Sequence, residues 1–224
     1  MAKQKTVQAP VNEIDEAVKE SKDFVEKHKK SILYGTGTVL LVILAVLAIN
    51  QFYIGPRNAK ANDAIAQAQE IFTQGDYEKA LNGDADKAGF LSVIDQYGST
   101  KAGNLACFYA GQCYYMTEKY QEAADMLEKF DDCDDEMVSP AAISLLGDCY
   151  AALENNEKAA STFVKAAKRA ANNTISPLCL VKAAQVYEAM GKNDEALKCY
   201  ETIQKDYQQS MQASEVVKYI ERLK

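Results

Sequence analysis

Three stretches of the sequence carry the same residue types at the same spacing, and this repetition limits the possible folds more than any other feature. The stretches begin at Asn104, Pro140 and Pro177, so successive starts lie 36 and 37 residues apart. The chain has only four prolines and eleven glycines and is rich in alanine, glutamate and lysine, a composition that favours helices. A helical repeat of about 20 to 50 residues is typical of stacked helix–turn–helix units.

Each repeat has small, aromatic and alanine positions that predict how its two helices pack. A small pair lets the second helix approach the first, an aromatic residue fills the space between neighbouring units, and an alanine lies at the helix crossing. A larger residue closes the far end of the pair. The small pairs are Ala110-Gly111, Leu146-Gly147 and Ala183-Ala184; the aromatics are Tyr114, Tyr150 and Tyr187; the crossing alanines are Ala123, Ala159 and Ala196; and the closing residues are Leu127, Phe163 and Tyr200.

This pattern resembles that of tetratricopeptide repeat (TPR) proteins over residues 101–208. The resemblance implies an all-α fold, a TPR helix–turn–helix solenoid of about four helix pairs with a C-terminal capping helix. A degenerate first unit is expected over residues 59–97, interrupted by a Gly/Asp-rich insertion at residues 82–86. Residues 210–224 are predicted to form one amphipathic capping helix, because the ends of an array need atypical units.

Residues 32–54 are predicted to form a transmembrane helix that precedes the repeats. The centre of this run, residues 39–49, is entirely aliphatic. A helix of this length measures about 27–35 Å, which matches a hydrocarbon core of about 30 Å. Tyr34 and the pair Phe52-Tyr53 would lie at the two membrane interfaces. The run is longer than the apolar part of a signal peptide and follows a long polar segment, so we expect an uncleaved anchor.

The charges beside the apolar run predict its orientation. Five lysines precede the run over residues 19–30, whereas Arg57 and Lys60 are the basic residues of the nearest twenty positions after it. The positive-inside rule then makes residues 1–31 a lysine-rich cytoplasmic tail and exports residues 55–224. In a bacterium this would be a single-pass protein of the inner (cytoplasmic) membrane with a periplasmic TPR domain. The exported segment is acidic, with 18 basic and 26 acidic residues.

The residue types disfavour most enzymatic and ligand-binding functions. The single histidine, His28, lies in the tail, so no Ser-His or Cys-His pair can form in the exported segment. Gly35-Thr36-Gly37 falls inside the apolar run, where it cannot cradle a phosphate. The formal net charge of -7 disfavours a nucleic-acid partner. We therefore expect no enzymatic activity, no cofactor, no metal and no small-molecule substrate.

Six cysteines and one acidic run need separate interpretation. No Cys-x-x-Cys motif occurs and most of the cysteines fall at packing positions, so we expect unpaired structural thiols. The alternatives are that some of them pair or that the domain is exported into a reducing setting. Residues 131–136 include five carboxylates but lack the glycine and distal glutamate of an EF-hand loop, which favours a solvated loop over a calcium site.

The concave surface formed by the first helices is the predicted protein-binding groove. A clamp for a C-terminal carboxylate is disfavoured, because Phe108, Ser144 and Val181 stand where it would need lysine. The aromatic part of the groove would suit an apolar or extended segment of a partner, and burial of these rings against a neighbouring unit is the alternative. The predicted groove residues are Leu105, Phe108, Tyr109, Gln112, Tyr115, Met116, Ser144, Leu145, Asp148, Val181, Lys182, Gln185 and Glu188.

The order of tail, anchor and acidic repeat array resembles the bacterial inner-membrane TPR proteins of the YfgM-like type. Residues 90–115, with Asp95-Gln-Tyr97-Gly-Ser-Thr-Lys-Ala102 leading into the second repeat, look most similar to that family. The resemblance implies an ancillary subunit of the Sec translocon that links the channel to periplasmic chaperones. The implied partners are Sec translocon subunits, a membrane-anchored periplasmic chaperone of the prolyl-isomerase type and emerging polypeptides.

Three other functions stay open at this point. The chain could be a TPR scaffold of another cell-envelope assembly or division complex. Its cysteines could serve a thiol-redox or metal-binding protein. It could also be a eukaryotic organelle import receptor whose repeats face the cytosol.

Overall fold

The apolar run lies in a helix with exposed side chains. The computed structural model describes the backbone of residues 9–224 and the side chains of residues 18–224, so the first eight residues of the predicted tail lie outside the described part. Helix α1 spans Ala9–Ile49 and a π-helical segment spans Asn50–Ile54. The most apolar 18-residue window of this helical stretch is entirely unburied. Because a core helix of a soluble domain would be largely buried, α1 is an exposed helix long and apolar enough to span a membrane.

The chain divides into two compact units between Pro56 and Arg57, and the second unit contains the repeats. Three long helix pairs, α5/α6, α7/α8 and α9/α10, coincide with the three repeated stretches. Within the described residues no β-strand occurs, and one isolated antiparallel bridge joins Gly83 and Ala88. The helices after α1 are α2 (Gly55–Thr73), α3 (Tyr77–Asn82), α4 (Phe90–Tyr97), α5 (Lys101–Met116), α6 (Tyr120–Glu128), α7 (Val138–Ala152), α8 (Asn156–Ala170), α9 (Ile175–Ala189), α10 (Asn193–Asp206), α11 (Met211–Glu215) and α12 (Val217–Leu223).

The small residues of the first helices make room for the closing residues, as predicted. A Cβ atom on Gly147 would lie 2.7 Å from Cε1 of Phe163, closer than two carbon atoms can approach. A Cβ atom on Gly111 would lie 2.6 Å from Cγ of Leu127. Phe163 and Leu127 are themselves buried, so the helices of the pairs α5/α6 and α7/α8 approach through the space that the absent side chains leave.

The alanine positions and two of the three tyrosine positions are also confirmed. Ala123, Ala159 and Ala196 are fully buried at the centres of their pairs. Tyr114 packs against the first and middle core clusters, and Tyr150 packs against the middle and last clusters. These two tyrosines therefore join neighbouring repeats into one continuous core, which is how a solenoid gains stability from its interfaces.

A left-handed residue marks the turn between the helices of every pair. Glu118, Glu154 and Gly191 have φ angles of 61°, 57° and 73°, and Gly75 in the first unit has 81°. Each of them stands five positions before a fully buried alanine, the first of which is Ala80. The turn thus identifies α2/α3 as a fourth helix pair. Glutamate tolerates this conformation at a cost of about 1–2 kcal/mol, which glycine avoids.

Both ends of the array differ from the internal repeats. After α3 the Gly/Asp-rich insertion makes a tight loop, in which Asp84 accepts hydrogen bonds from the backbone N–H groups of Asp86 and Lys87, and α4 follows as an extra helix. The predicted single capping helix is divided into α11 and α12. The division falls at Val216, which is fully buried, and two adjacent β-branched valines favour such an interruption.

Candidate protein-binding groove

The first helices of the last two repeats and the C-terminal helix α11 line a cavity that coincides with part of the predicted groove. Its volume is about 470 Å³, and its walls are mainly apolar, as expected of a binding site for a protein segment. Five predicted groove residues line it, namely Ser144, Leu145, Asp148, Val181 and Lys182. Residues that the sequence reasoning did not select complete the walls, namely Ala141, Ile175, Leu178, Cys179, Gln212 and Glu215.

An ion pair lies in this cavity. The Nζ atom of Lys182 is 2.7 Å from Oδ2 and 2.9 Å from Oδ1 of Asp148. The same ammonium lies 5.4 Å from the centre of the Phe163 ring. Both charged side chains are partly exposed, so the pair adds little to stability. Its main consequence is a neutralised charge on Lys182, which leaves the apolar walls and the Glu215 carboxylate to select a ligand.

Helix α5 extends the groove surface with residues that stay accessible. Met116 is 54% exposed, and Leu105, Gln112 and Tyr115 are partly exposed. The Tyr115 ring packs edge-on against Tyr120 with centroids 5.4 Å apart. Burial raises the pKa of Tyr115, and the nearby Asp148 carboxylate raises it further, so the hydroxyl is neutral and available as a hydrogen-bond donor.

Two of the predicted groove aromatics are part of the core. Phe108 is only 8% exposed, and its ring lies 6.2 Å from that of Phe130. The Tyr109 ring stacks on Phe90 at 5.2 Å and an interplanar angle of 8°. Helix α4 supplies Phe90, and the loop after α6 supplies Phe130, as the covering rings. The alternative of burial against neighbouring units therefore holds for Phe108 and Tyr109, which support the groove from behind.

The last predicted position, Glu188, is engaged by the C-terminal cap. Its carboxylate accepts a hydrogen bond of 2.8 Å from the Tyr200 hydroxyl and forms an ion pair with Arg222 of α12. Burial, together with this hydrogen bond to a carboxylate, raises the pKa of Tyr200. Glu188 thus fastens α12 to α9, whereas the neighbouring groove residue Gln185 stays exposed.

The acidic run between α6 and α7 is an ordered loop held by structural contacts. Asp135 accepts hydrogen bonds from the N–H groups of Met137 and Val138 at the start of α7, which stabilises the helix terminus. Nε of Arg169 lies 2.8 Å from Oδ2 of Asp132, and this hydrogen bond lowers the pKa of that carboxyl. Among the described residues no group of three or more His, Cys, Asp or Glu side chains is arranged to hold a metal ion.

Asn104 anchors the same loop and is not among the candidate site residues predicted from the sequence. Its Nδ2 donates to the carbonyl oxygen of Asp131 at 2.8 Å, and its Oδ1 accepts from the Asp131 N–H at 2.7 Å. The asparagine opens the first repeated stretch, so its place in the register could have identified it. The partner backbone group lies 27 residues away, which no local pattern reveals.

The six cysteines are all described and none is in a disulfide. Five are buried, and Cys133 in the acidic loop is exposed. Burial raises the pKa of Cys113 and of Cys149 to about 12 and that of Cys199 to about 11. Because the thiolate is the reactive form, these thiols are poor nucleophiles at neutral pH.

We expect one thiol of six to react quickly with a thiol reagent in the folded protein. Cys133 accounts for that reaction, and the five buried cysteines react only when the chain unfolds. A thiol titration with a chromogenic disulfide, run with and without denaturant, measures both numbers. The Cys133→Ser variant is the control and removes the fast phase. Any fast thiol in that variant would contradict the packing described here.

Comparisons with known proteins support the fold. Residues 178–210, which cover most of α9 and α10, match the sequence model of the tetratricopeptide repeat. The crystal structure of MamA protein is 20% identical, with a TM-score of 0.52 over 73% of this chain and 89% of that one. A putative kinesin light chain of Podosopora anserina with nearly identical TPR-like repeats is 14% identical, with a TM-score of 0.52 over 74% of this chain and 95% of that one. At these identities the likeness shows a TPR-like solenoid. No curated protein matches the sequence.

Proposed function

We propose that the chain is a membrane-anchored scaffold that binds other proteins through the groove between α7, α9 and α11. The observation that carries this proposal is the apolar cavity of about 470 Å³ on the first helices of a TPR-like array. Arrays of this kind typically act as non-catalytic interaction domains. Attachment to a membrane raises the local concentration of partners, so the affinity of the groove itself need not be high.

The exposed helix α1 is the proposed anchor. Its aliphatic side chains need an apolar environment, and its lysine-rich N-terminal flank favours a cytoplasmic N-terminus under the positive-inside rule. With that orientation the repeat unit faces the periplasm of a bacterium. An acidic repeat unit is repelled by anionic headgroups, which leaves the groove free for soluble or membrane-bound proteins.

The proposed partners are Sec translocon subunits and a membrane-anchored periplasmic chaperone, and emerging polypeptides are a third class. This assignment rests on the sequence resemblance to YfgM-like proteins and on the agreement of the layout with an accessory subunit. Scaffolding of another envelope or division complex would use the same groove. The thiol-redox alternative has little support, because Cys133 is the one exposed thiol.

Affinity purification from native membranes tests the proposal with a matched pair of variants. Leu178 in the cavity wall and Leu153 outside it are 47% and 39% exposed, so glutamate is tolerated by the fold at either site. We expect Leu178→Glu to lower the recovery of the partner about tenfold or more, because a charge would replace an apolar contact. Leu153→Glu should leave recovery unchanged.

The identity of the recovered proteins tests the finer assignment. Sec subunits together with a periplasmic chaperone are the expected result for the wild type. Recovery of a different envelope complex, sensitive to Leu178→Glu, would keep the scaffold and reject the translocon role. Equal recovery with both glutamate variants would reject the groove.

A further inference from the structure

A second cavity lies on the opposite helices of the array, between α8 and α10. Its volume is about 230 Å³. Val164 and Ala167 of α8, Leu180 of α9 and Tyr207 after α10 form its apolar floor, and Lys168 and Lys198 stand beside it. Ala167 and Leu180 belong to the core cluster of the last repeat, so the cavity opens onto the packed core.

The charge of this cavity is opposite to that of the protein. No lining residue is acidic, although the chain has a net charge of -7. Among the described residues Lys168 and Lys198 take part in no ion pair, whereas Lys182, Lys192 and Lys224 are all paired. Glu201, an acidic neighbour on α10, is engaged by Lys224 at 3.3 Å. Two ammonium groups outside any ion pair therefore flank an apolar depression.

We propose that this cavity, the α8–α10 site, binds an acidic protein segment that carries one bulky apolar side chain. The apolar side chain enters the depression between the helices, and carboxylates on either side of it pair with Lys168 and Lys198. Opposite charges steer such a segment to a depression that pairs an apolar floor with two lysines outside any ion pair. The site is separate from the groove, since no residue lines both cavities.

A lipid headgroup fits the same lysines less well. A headgroup phosphate is held best by several convergent donors. Of the two hydroxyl-bearing residues in the lining, Thr202 already donates its hydroxyl to the carbonyl oxygen of Lys198 at 2.7 Å, and Tyr207 belongs to the apolar floor. A headgroup would also leave the apolar floor unfilled. An apolar side chain between two carboxylates satisfies both parts of the site.

A photoreactive peptide tests the proposal with the full chain in a mild non-ionic detergent. The probe is a fluorescent nonapeptide of aspartate and glutamate with photo-leucine at its centre. We expect saturable binding by anisotropy and crosslinks that map to residues 164–168 and 198–207. The double variant Lys168→Glu, Lys198→Glu should weaken binding about tenfold or more. The matched double variant Lys60→Glu, Lys101→Glu, which changes the net charge equally at exposed, unpaired lysines, should leave binding unchanged.

Further experiments distinguish binding at the α8–α10 site from binding in the groove, and the acidic peptide from other ligands. Leu178→Glu should leave peptide binding unchanged, so that a failure of the groove and a failure of the α8–α10 site give different results. Replacement of the central photo-leucine by alanine should weaken binding about tenfold in the anisotropy measurement; equal binding would reveal bare charge attraction and overturn the proposal. Protection of Lys168 and Lys198 from acetylation provides two further tests. Protection by phosphatidylglycerol vesicles but not by the peptide would identify a lipid headgroup as the occupant and overturn the proposal. Protection that requires only a high protein concentration, without peptide, would identify a second copy of the chain and would also overturn it.

Discussion

Two arginines in the centre of α1, introduced as Leu41→Arg and Leu44→Arg, are expected to abolish the attachment of the protein to membranes. The aliphatic residues at positions 39–49 favour insertion by about 0.3–0.6 kcal/mol each, whereas an arginine at the centre of a span opposes it by about 2.5–3.5 kcal/mol. Two arginines therefore cancel the insertion free energy of the whole run. Both leucines are exposed, at 69% and 53%, so the change leaves the packing of the repeats intact.

Alkaline carbonate extraction of membranes measures this result. The wild type should stay in the pellet and the double arginine variant should be absent from it. The matched variant Leu41→Ala, Leu44→Ala keeps an apolar span and should stay in the pellet. Extraction of the wild-type protein by carbonate would contradict the anchor, whatever the variants do.

Replacement of Phe163 by alanine is expected to lower the free energy of unfolding by about 3–5 kcal/mol, which is the usual cost of emptying a buried aromatic site. Phe163 is 2% exposed and occupies the space beside Gly147. The Gly147→Ala change alone should also destabilise the protein, by about 1–3 kcal/mol, because the added methyl group would overlap the rigid ring.

The effect of Gly147→Ala on the free energy of unfolding should reverse its sign once the Phe163 ring is removed. In the Phe163→Ala background no ring opposes the methyl group, and alanine is favoured over glycine in a helix interior by up to about 1 kcal/mol. The coupling free energy between the two positions is measured by a double-mutant cycle. Urea unfolding, followed by circular dichroism, is carried out on the wild type, the two single variants and the double variant. Gly111→Ala is a comparison, and it should cost less because Leu127 can rotate away. Additive effects of the two changes would contradict the packing between α7 and α8.

The repeat register was predictable because it depends on local residue types. A small residue must face a large one where two helices pack closely, as Gly147 faces Phe163 and Gly111 faces Leu127. The spacing of the repeated stretches placed these residues correctly. The turns were also readable in principle, since Gly75 and Gly191 stand five positions before a buried alanine. Glu118 and Glu154 concealed the same signal, because glutamate rarely adopts a left-handed conformation.

The groove was less predictable because its exposure depends on elements outside the repeats. Phe108 and Tyr109 occupy groove positions of the register, but α4 and Phe130 cover them. Leu178 and Glu215 line the cavity because α11 packs beside α9. This packing could not be predicted, because the end of the array departs from the repeat pattern. Distant backbone and side-chain contacts of this kind have no periodic signal in the sequence.

The proposed anchor, groove and α8–α10 site together describe a scaffold with two binding surfaces of different chemistry. The groove is mainly apolar with a neutralised ion pair, and the α8–α10 site is apolar with two free positive charges. Partners bound to the two surfaces would not compete. Such an arrangement would bring a membrane-bound partner and a soluble one together beside the membrane.

Photocrosslinking in living cells tests the central claim, that the groove of a membrane-anchored array holds another protein. Benzoylphenylalanine would replace Leu178 in the groove in one strain and Leu153 outside it in another. We predict that the first strain gives a discrete crosslinked protein in the membrane fraction, that this protein is a Sec subunit or a periplasmic chaperone, and that the second strain gives none. Crosslinks of equal yield from both positions, or from Leu153 alone, would contradict the account.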